Sequence, residues 1–194
     1  MALIEEISWL EWFAFITSLL YTWLAAKENI WCWLFGGIGA AATLILCLQA
    51  LLYSEVILQV YYIAMAIYGW VHWSKLGSSS TKPVLKMDKR LHLKILLLGV
   101  IGLFALGAFW KIWGAALPYL DASTTSFSIL ATWLIARKYL ENWIYFIVID
   151  AVSIFLYASR EMYLLAFLFV IYTILATYGY FKWKRIWQKQ RQPN

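Results

Sequence analysis

The sequence has very little charge for its length, and this scarcity excludes most classes of protein. Of its 194 residues only 13% are charged, whereas 64% are hydrophobic and 19% are aromatic, and the mean hydropathy is +0.72. No water-soluble domain of this length has such a composition. Because a membrane-spanning helix needs about 20 apolar residues, the chain has room for six or seven such helices and for no soluble catalytic module. The sequence therefore predicts a single all-α integral membrane domain.

Residues that carry enzyme chemistry are also scarce. Cys32 and Cys47 lie fifteen residues apart on one predicted helix, so at about 1.5 Å per residue they are roughly 22 Å apart and cannot form a disulfide. His72 and His92 have no acidic companions at the spacing of metal ligands. The sequence contains no GxxxxGK phosphate-binding loop, no GxSxG motif and no CxxC motif. We therefore predict no metal site, no cofactor and no enzymatic activity.

The basic residues indicate a membrane topology rather than a nucleic-acid partner. The formal net charge is +6, but Lys and Arg are dispersed among the ends of apolar segments. Loops rich in these residues stay on the cytoplasmic side of a membrane. With seven crossings and a cytoplasmic C-terminus, fourteen of the sixteen basic residues fall inside, and only Lys111 and Arg160 fall outside. We therefore expect the N-terminus to lie outside.

Seven apolar segments predict seven transmembrane helices: Trp9 to Ala26, Ile30 to Leu52, Val56 to Trp73, Leu93 to Leu117, Ala122 to Ala136, Trp143 to Ala158 and Met162 to Phe181. The stretch from Ser74 to His92 is rich in Gly, Ser and Thr and contains a proline, which is typical of a flexible loop that separates two halves. The predicted parts of the single domain 1–194 are repeat one (about 9–73), a linker loop (74–92), helix four (93–117), repeat two (about 122–183) and a basic cytoplasmic tail (184–194).

The second half of the chain repeats the first. When the sequence is shifted by 110 residues, seventeen of the 56 positions in 18–73 are identical to their counterparts. Trp33 corresponds to Trp143, and Gly69 corresponds to Gly179. Since three crossings reverse the direction of the chain, the fourth helix is needed to return the second copy to the starting side. This is the parallel 3+1+3 arrangement of SWEET-type transporters, in which the substrate site is expected near the membrane midplane between the repeats.

The third segment carries the first candidate substrate contacts. Gln59, Tyr62, Ala66, Gly69 and Trp73 follow one another at spacings of three and four residues, so they share one helix face. An unsatisfied amide is costly at membrane depth, so Gln59 bonds either a neighbouring helix or a ligand. We take Gln59 and Tyr62 as candidate substrate-binding residues, and a structural role for Gln59 is the open alternative.

The sixth segment carries an acid inside an otherwise apolar run. A charged side chain at the centre of a bilayer costs at least roughly 2.5 to 3.5 kcal/mol. Aromatic rings beside a carboxylate suit a flat organic cation, and Trp143, Phe146 and Asp150 form such a stripe. These three residues are therefore candidate substrate-binding residues. The alternative is that Asp150 is protonated, or is hydrogen-bonded to Ser153 or Ser128 in a structural role.

Acidic and basic residues are adjacent at two predicted cytoplasmic turns. Glu28 stands beside Lys27 before the second helix, and Glu141 stands close to Lys138 before the sixth. Because both turns are expected to face water, we interpret these residues as solvated ion pairs, which contribute little to stability.

The segment from Arg137 to Trp143, with the sequence RKYLENW, resembles the RKYxENW signature of the PnuC family of bacterial vitamin transporters. Further matches are Asn29-Ile30-Trp31, Phe35-Gly36, Leu52-Tyr53, Leu58-Gln59 and Tyr68-Gly69-Trp70 with Trp73. The resemblance implies a SWEET-like fold and a homotrimer with one path per protomer. It also implies facilitated diffusion of nicotinamide riboside across the bacterial inner membrane, made directional by a cytoplasmic vitamin kinase rather than by an ion gradient.

Two departures from the family pattern leave the solute open. Riboside transporters of the family tend to have Asn where this chain has Gly39 and Asp150. Nicotinamide riboside is a pyridinium cation and is compatible with a carboxylate, but thiamine, carried by a related branch, is also a flat cation. Thiamine is therefore the alternative solute. A membrane-embedded substrate-binding subunit of a multi-component importer is a second alternative, against which the internal duplication argues. If transport were coupled to protons, Asp150 would be the residue to serve it.

Overall fold

Seven α-helices make up most of the chain. The structure is a computed structural model that describes residues 9–49, 53–74, 83–114 and 117–191. The helices are α1 (Trp9–Ala26), α2 (Trp31–Gln49), α3 (Tyr53–Ser74), α4 (Lys89–Ile112), α5 (Pro118–Ala136), α6 (Asn142–Ser159) and α7 (Tyr163–Lys189). Within the described ranges, extended structure is limited to an isolated bridge between Leu85 and Tyr139. The predicted all-α class with seven helices is confirmed.

Five of the helices are long and apolar enough to cross a membrane on their own composition, namely α2, α3, α4, α6 and α7. The other two, α1 and α5, each carry an acid in the first turn and several hydroxyl side chains. These hydroxyls bond the backbone of their own helix: Thr17 donates to the Phe13 carbonyl at 2.8 Å, and Thr132 donates to the Ser128 carbonyl at 2.7 Å. Such internal bonds satisfy the polar groups without water, as membrane depth requires.

Two helices extend beyond their apolar segments into neighbouring stretches that are rich in basic residues. The last helix reaches Lys189, so the predicted tail is helical over much of its described part, and residues 192–194 lie outside the description. The fourth helix begins at Lys89 rather than at Leu93, because Asp88 caps it by accepting a hydrogen bond from the Leu91 N–H at 2.8 Å.

The connection between the fourth and fifth helices lies earlier in the chain than the apolar segments predict. The fourth helix ends at Ile112 rather than at Leu117, and Gly114 follows with a φ of 78°, a left-handed conformation that favours glycine. The fifth helix begins at Pro118 rather than at Ala122. Proline suits the first turn of a helix, because its missing N–H would have no partner there.

The chain divides into two compact units, Met1–Thr81 and Lys82–Asn194. In the first unit, α2 packs against both α1 and α3. In the second unit, α6 packs in the same way against α5 and α7, and α4 packs against α5. The division falls inside the predicted linker, and the middle helix of each triplet contacts both of its neighbours.

The same aromatic arrangement occurs in both units, as the internal duplication predicts. In the first unit, the rings of Trp33 and Trp73 meet edge to face with their centroids 5.5 Å apart and their planes at 89°. In the second unit, the rings of Trp143 and Trp183 have the same separation of 5.5 Å and an angle of 88°. The 110-residue repeat in the sequence therefore corresponds to a repeat in three-dimensional packing.

Part of the segment that was predicted to be a flexible loop is held against the α5–α6 turn. The Leu85 N–H donates to the Lys138 carbonyl at 2.9 Å, and the Leu85 carbonyl accepts from the Leu140 N–H at 2.8 Å. Residues 83–88 form a connection between helices, as predicted, whereas the loop prediction is wrong for residues 89–92, which belong to α4. Residues 75–82, which contain most of its Gly and Ser, lie outside the described part of the chain.

The predicted solvated pair of Glu141 and Lys138 is also wrong, because this segment covers the turn. Lys138 is only 4% exposed and Glu141 only 9% exposed. The Glu141 carboxylate accepts a hydrogen bond from the Met87 N–H, with 3.0 Å between Oε2 and nitrogen. The residues that precede α4 cover the turn, so both side chains are shielded from water.

Candidate functional site

The α6 residues Trp143 and Asp150 form the core of the candidate site in the second unit. They lie seven residues apart, which is two helical turns or roughly 10.5 Å along one face. Trp143 is 1% exposed and Asp150 is 5% exposed. The predicted stripe is therefore the buried face of the helix, and exposed residues such as Val148 and Phe155 occupy the opposite face.

Trp143 has a buried polar atom that the protein leaves unpaired. Its ring packs against Trp183 of α7, and Gly179 of the same helix lies so close that a Cβ atom there would be 2.7 Å from Cε2 of the indole. Within the described part of the chain, the Trp143 indole N–H has no hydrogen-bond partner. Buried donors are normally satisfied, so this N–H is available to a ligand.

Asp150 is buried without the structural hydrogen bonds considered above. Among the described residues, neither Ser153 nor Ser128 donates to its carboxylate. Ser153 is itself buried one turn further along α6. A carboxylate buried in an apolar helix costs free energy unless a partner neutralises its charge. A cation would therefore stabilise Asp150.

Phe146, the third predicted residue of α6, has a packing role. It is half-buried and contacts a hydrophobic cluster drawn from α4, α5 and α6: Ile95, Ala131, Leu134, Tyr145 and Ile149. It lies one turn from both Trp143 and Asp150, between the face that meets α7 and the face that meets α5. Its ring therefore ties the site to the core of the unit.

Gln59 and Tyr62 of the first unit lie one turn apart on the buried face of α3. Gln59 is 9% exposed. The Tyr62 ring is half-buried, with its centroid 5.7 Å from that of Tyr61. The predicted face is confirmed, and the role of Gln59 stays a prediction.

Three further buried polar atoms without partners were not predicted. Within the described ranges these are the Trp33 indole N–H, the Asn142 side-chain oxygen and the Tyr145 hydroxyl. The repeat offers a signal for the first, because Trp33 is the counterpart of Trp143. The other two depend on which groups of neighbouring helices approach them, and the sequence does not encode that locally.

Two depressions on the surface lie away from the predicted residues. One, of about 360 Å³, is lined by residues at the start of α4 together with Glu141. The other, of about 490 Å³, lies along the basic end of α7. Neither is lined by any of the five predicted site residues.

Comparison with known proteins agrees with this arrangement of helices and motifs. The family model described as "Nicotinamide mononucleotide transporter" matches residues 8–185. The chain belongs to this transporter family. It is therefore a member of a family of multi-pass membrane transporters, and its signature segment Arg137 to Trp143 forms the turn that leads into α6.

Individual relatives have names that agree with the family. The chain is 28% identical over 205 residues to the nicotinamide riboside transporter PnuC of Escherichia coli (strain K12), covering 92% of this chain and 86% of that protein. It is 29% identical over 192 residues to the nicotinamide riboside transporter PnuC of Neisseria mucosa, covering 92% of this chain and 73% of that protein. A crystal structure of the vitamin B3 transporter PnuC matches with a TM-score of 0.77 and 27% identity, covering 96% of this chain and 85% of that one.

Proposed function

We propose that this chain carries nicotinamide riboside across the bacterial inner membrane by facilitated diffusion. The observation that carries the proposal is the Asp150 carboxylate, which is buried, unpaired among the described residues, and on one face with the free indole N–H of Trp143. A pyridinium ring would balance the charge of Asp150, and a ribose hydroxyl would accept from the indole. Both relatives above are named as transporters of this vitamin.

The absence of basic residues from α5 and α6 favours the riboside over its phosphate ester. The helices α5 and α6 contain no Lys or Arg along their whole lengths. A mononucleotide would bring a phosphate into the membrane, and phosphate recognition uses Arg, Lys or clusters of backbone N–H groups. A carboxylate without a nearby cation repels such a group. The uncharged ribose and cationic ring of the riboside fit the residues that are present.

Three other residues complete the proposed set of ligand contacts. Phe146 supplies a ring next to Asp150, suited to the face of a flat cation. Gln59 and Tyr62 supply an amide and a phenol on the buried face of α3. An amide both donates and accepts, so Gln59 suits the carboxamide of nicotinamide, which does the same.

The proposed orientation places the basic helix ends in the cytoplasm and the N-terminus outside. In the second unit, Lys86 lies 5.2 Å from the Trp187 ring, so the start of α4 and the end of α7 share one end of the unit with the α5–α6 turn. At the other end, Arg160 is neutralised by Asp121 at 2.7 Å. This separation of charge supports the positive-inside topology.

The proposal includes two partners that the family resemblance implies. The protein is a homotrimer with one path per protomer, and a cytoplasmic kinase traps the vitamin by phosphorylating it. Transport by alternating access then needs no ion gradient, because removal of free riboside keeps the inward direction favourable. Chemical cross-linking in membranes would test the trimer.

The direct test is uptake by the purified chain alone in liposomes. Labelled nicotinamide riboside is expected to equilibrate across the membrane without an ion gradient, and to accumulate only when a riboside kinase and ATP are enclosed. Empty liposomes are the control, and unlabelled thiamine and nicotinamide mononucleotide are the competitors. Flux of thiamine alone would assign the chain to the other branch. Binding without flux would support a substrate-binding subunit of a larger importer.

A further inference from the structure

The signature turn between α5 and α6 forms a binding site for another segment of the same chain. Leu85 is joined to it by two backbone hydrogen bonds, to Lys138 and to Leu140, and Met87 is joined to it through Glu141. Val84 is buried, although it belongs to a connecting segment. Leu85 and Met87, which lie shortly before α4, are thus bonded to the turn. We call these contacts the clasp.

Glu141 directs its carboxylate away from its own helix. An acid at this position, directly before Asn142, normally stabilises the free N–H groups of the first turn. Here the side chain makes no such capping bond, and it accepts instead from Met87, which is 54 residues earlier in the chain. The bond is assisted by charge and is largely shielded from water, both of which strengthen it.

The first repeat has a different residue at the position of Glu141. The counterpart of Glu141 is Trp31, whose ring is exposed and packs edge to face with Trp70 at 5.5 Å. At that turn the Trp31 N–H is held locally by the Asn29 side chain at 3.0 Å. The carboxylate that accepts from Met87 is therefore not matched by an acid at the equivalent position of the first repeat.

We propose that Glu141 is a positioning residue for the ligand site on α6. Trp143 follows it by two residues, and Asn142 is fully buried with its amide donating to the Tyr139 carbonyl at 2.5 Å. With the turn anchored through Met87, α6 has a fixed starting point and rotation, so that the face that Trp143 and Asp150 share is held in its buried position. The link to ligand binding rests on the proposed function, whereas the anchoring itself does not.

The test compares Glu141→Ala with Glu141→Gln, which keeps an acceptor for the Met87 N–H. Hydrogen exchange in nanodiscs measures the peptides that contain Met87 and the first turn of α6, and calorimetry measures riboside binding. Loss of a hydrogen bond to a charged group predicts roughly tenfold or faster exchange of both peptides in the alanine variant. Riboside affinity is expected to fall by a similar factor, with most of both effects restored by glutamine. If the alanine variant does not fold, Glu141→Asp tests the same bond with a shorter side chain.

Glu161→Ala is the matched control, because Glu161 is an exposed acid beyond the opposite end of α6. It is expected to change neither exchange at the clasp nor affinity. Unchanged exchange in Glu141→Ala would overturn the clasp. Faster exchange with unchanged affinity of the folded protein would show that the clasp is structural only, which overturns the positioning role. If the wild type binds no riboside, the proposed function fails, and exchange of the α6 first turn still decides whether Glu141 anchors that helix.

Discussion

Gly179 and Trp143 are in contact because Gly179 has no side chain. A Cβ atom at Gly179 would lie 2.7 Å from Cε2 of the Trp143 indole. On its other side the indole meets the ring of Trp183 at 88°. The α7 backbone and a second tryptophan therefore fix the ring that begins the α6 site.

Replacing Gly179 with alanine is expected to displace the Trp143 ring. Overpacking of this kind costs roughly 1 to 3 kcal/mol of stability, and it should also weaken riboside binding because the indole N–H moves. Gly69→Ala is the matched variant, since a Cβ atom at Gly69 would collide with Trp33 in the first unit. It should lower thermal stability without a comparable loss of affinity. Equal effects of the two variants on calorimetric affinity would contradict the assignment of the site to Trp143.

Trp143→Phe removes the indole N–H but keeps an aromatic ring, so it tests the contribution of the N–H by itself. Because this N–H has no partner among the described residues, its removal leaves no protein group unpaired. We expect about tenfold weaker riboside binding, equivalent to about 1.4 kcal/mol. Trp33→Phe removes the equivalent N–H of the first repeat and is expected to leave the affinity unchanged. If Trp143→Phe lowers the melting temperature more than Trp33→Phe does while affinity is retained, the N–H has a structural role.

Gln59→Leu tests the buried amide of the first unit. Burying an amide without a partner costs roughly 1 to 3 kcal/mol, so an apolar side chain of similar size should leave the free energy of unfolding equal or higher. Riboside binding should weaken if Gln59 contacts the ligand. Thermal unfolding and calorimetry on the same sample measure both quantities. A clear loss of stability would mean that Gln59 bonds a structural partner.

The sequence predicted the bounds of a helix well where the apolar run and the helix end at the same residue. The first helix has the predicted bounds because an apolar run stops at the Lys27 turn. The seventh extends eight residues beyond Phe181, since basic residues favour helix and sit over aromatic rings one turn earlier, as Lys184 does over Tyr180 at 5.7 Å. Hydropathy detects the membrane core and not the helical ends that leave it.

The candidate site was predictable only in part. Helical spacing was enough to place Trp143 and Asp150 on one buried face, because that depends on local periodicity alone. The clasp was missed because Leu85 and Met87 use their backbone groups to bond residues more than fifty positions away. Backbone pairing leaves no periodic pattern of side chains. The same reason explains why Glu141 and Lys138 were expected in water.

The central claim is that Asp150 binds a cationic vitamin, and calorimetric titration of the purified protein with nicotinamide riboside tests it most directly. The wild type is expected to bind, and Asp150→Asn to bind at least about tenfold more weakly, because a charge pair is lost in a largely dry site. Asp121→Asn is the control: its partner is Arg160 at 2.7 Å, so it should lower stability by about 1 kcal/mol or less and leave binding intact. Equal stability of wild type and Asp150→Asn, together with the loss of affinity, is the predicted result. Unchanged affinity with a lower melting temperature in Asp150→Asn would contradict the account.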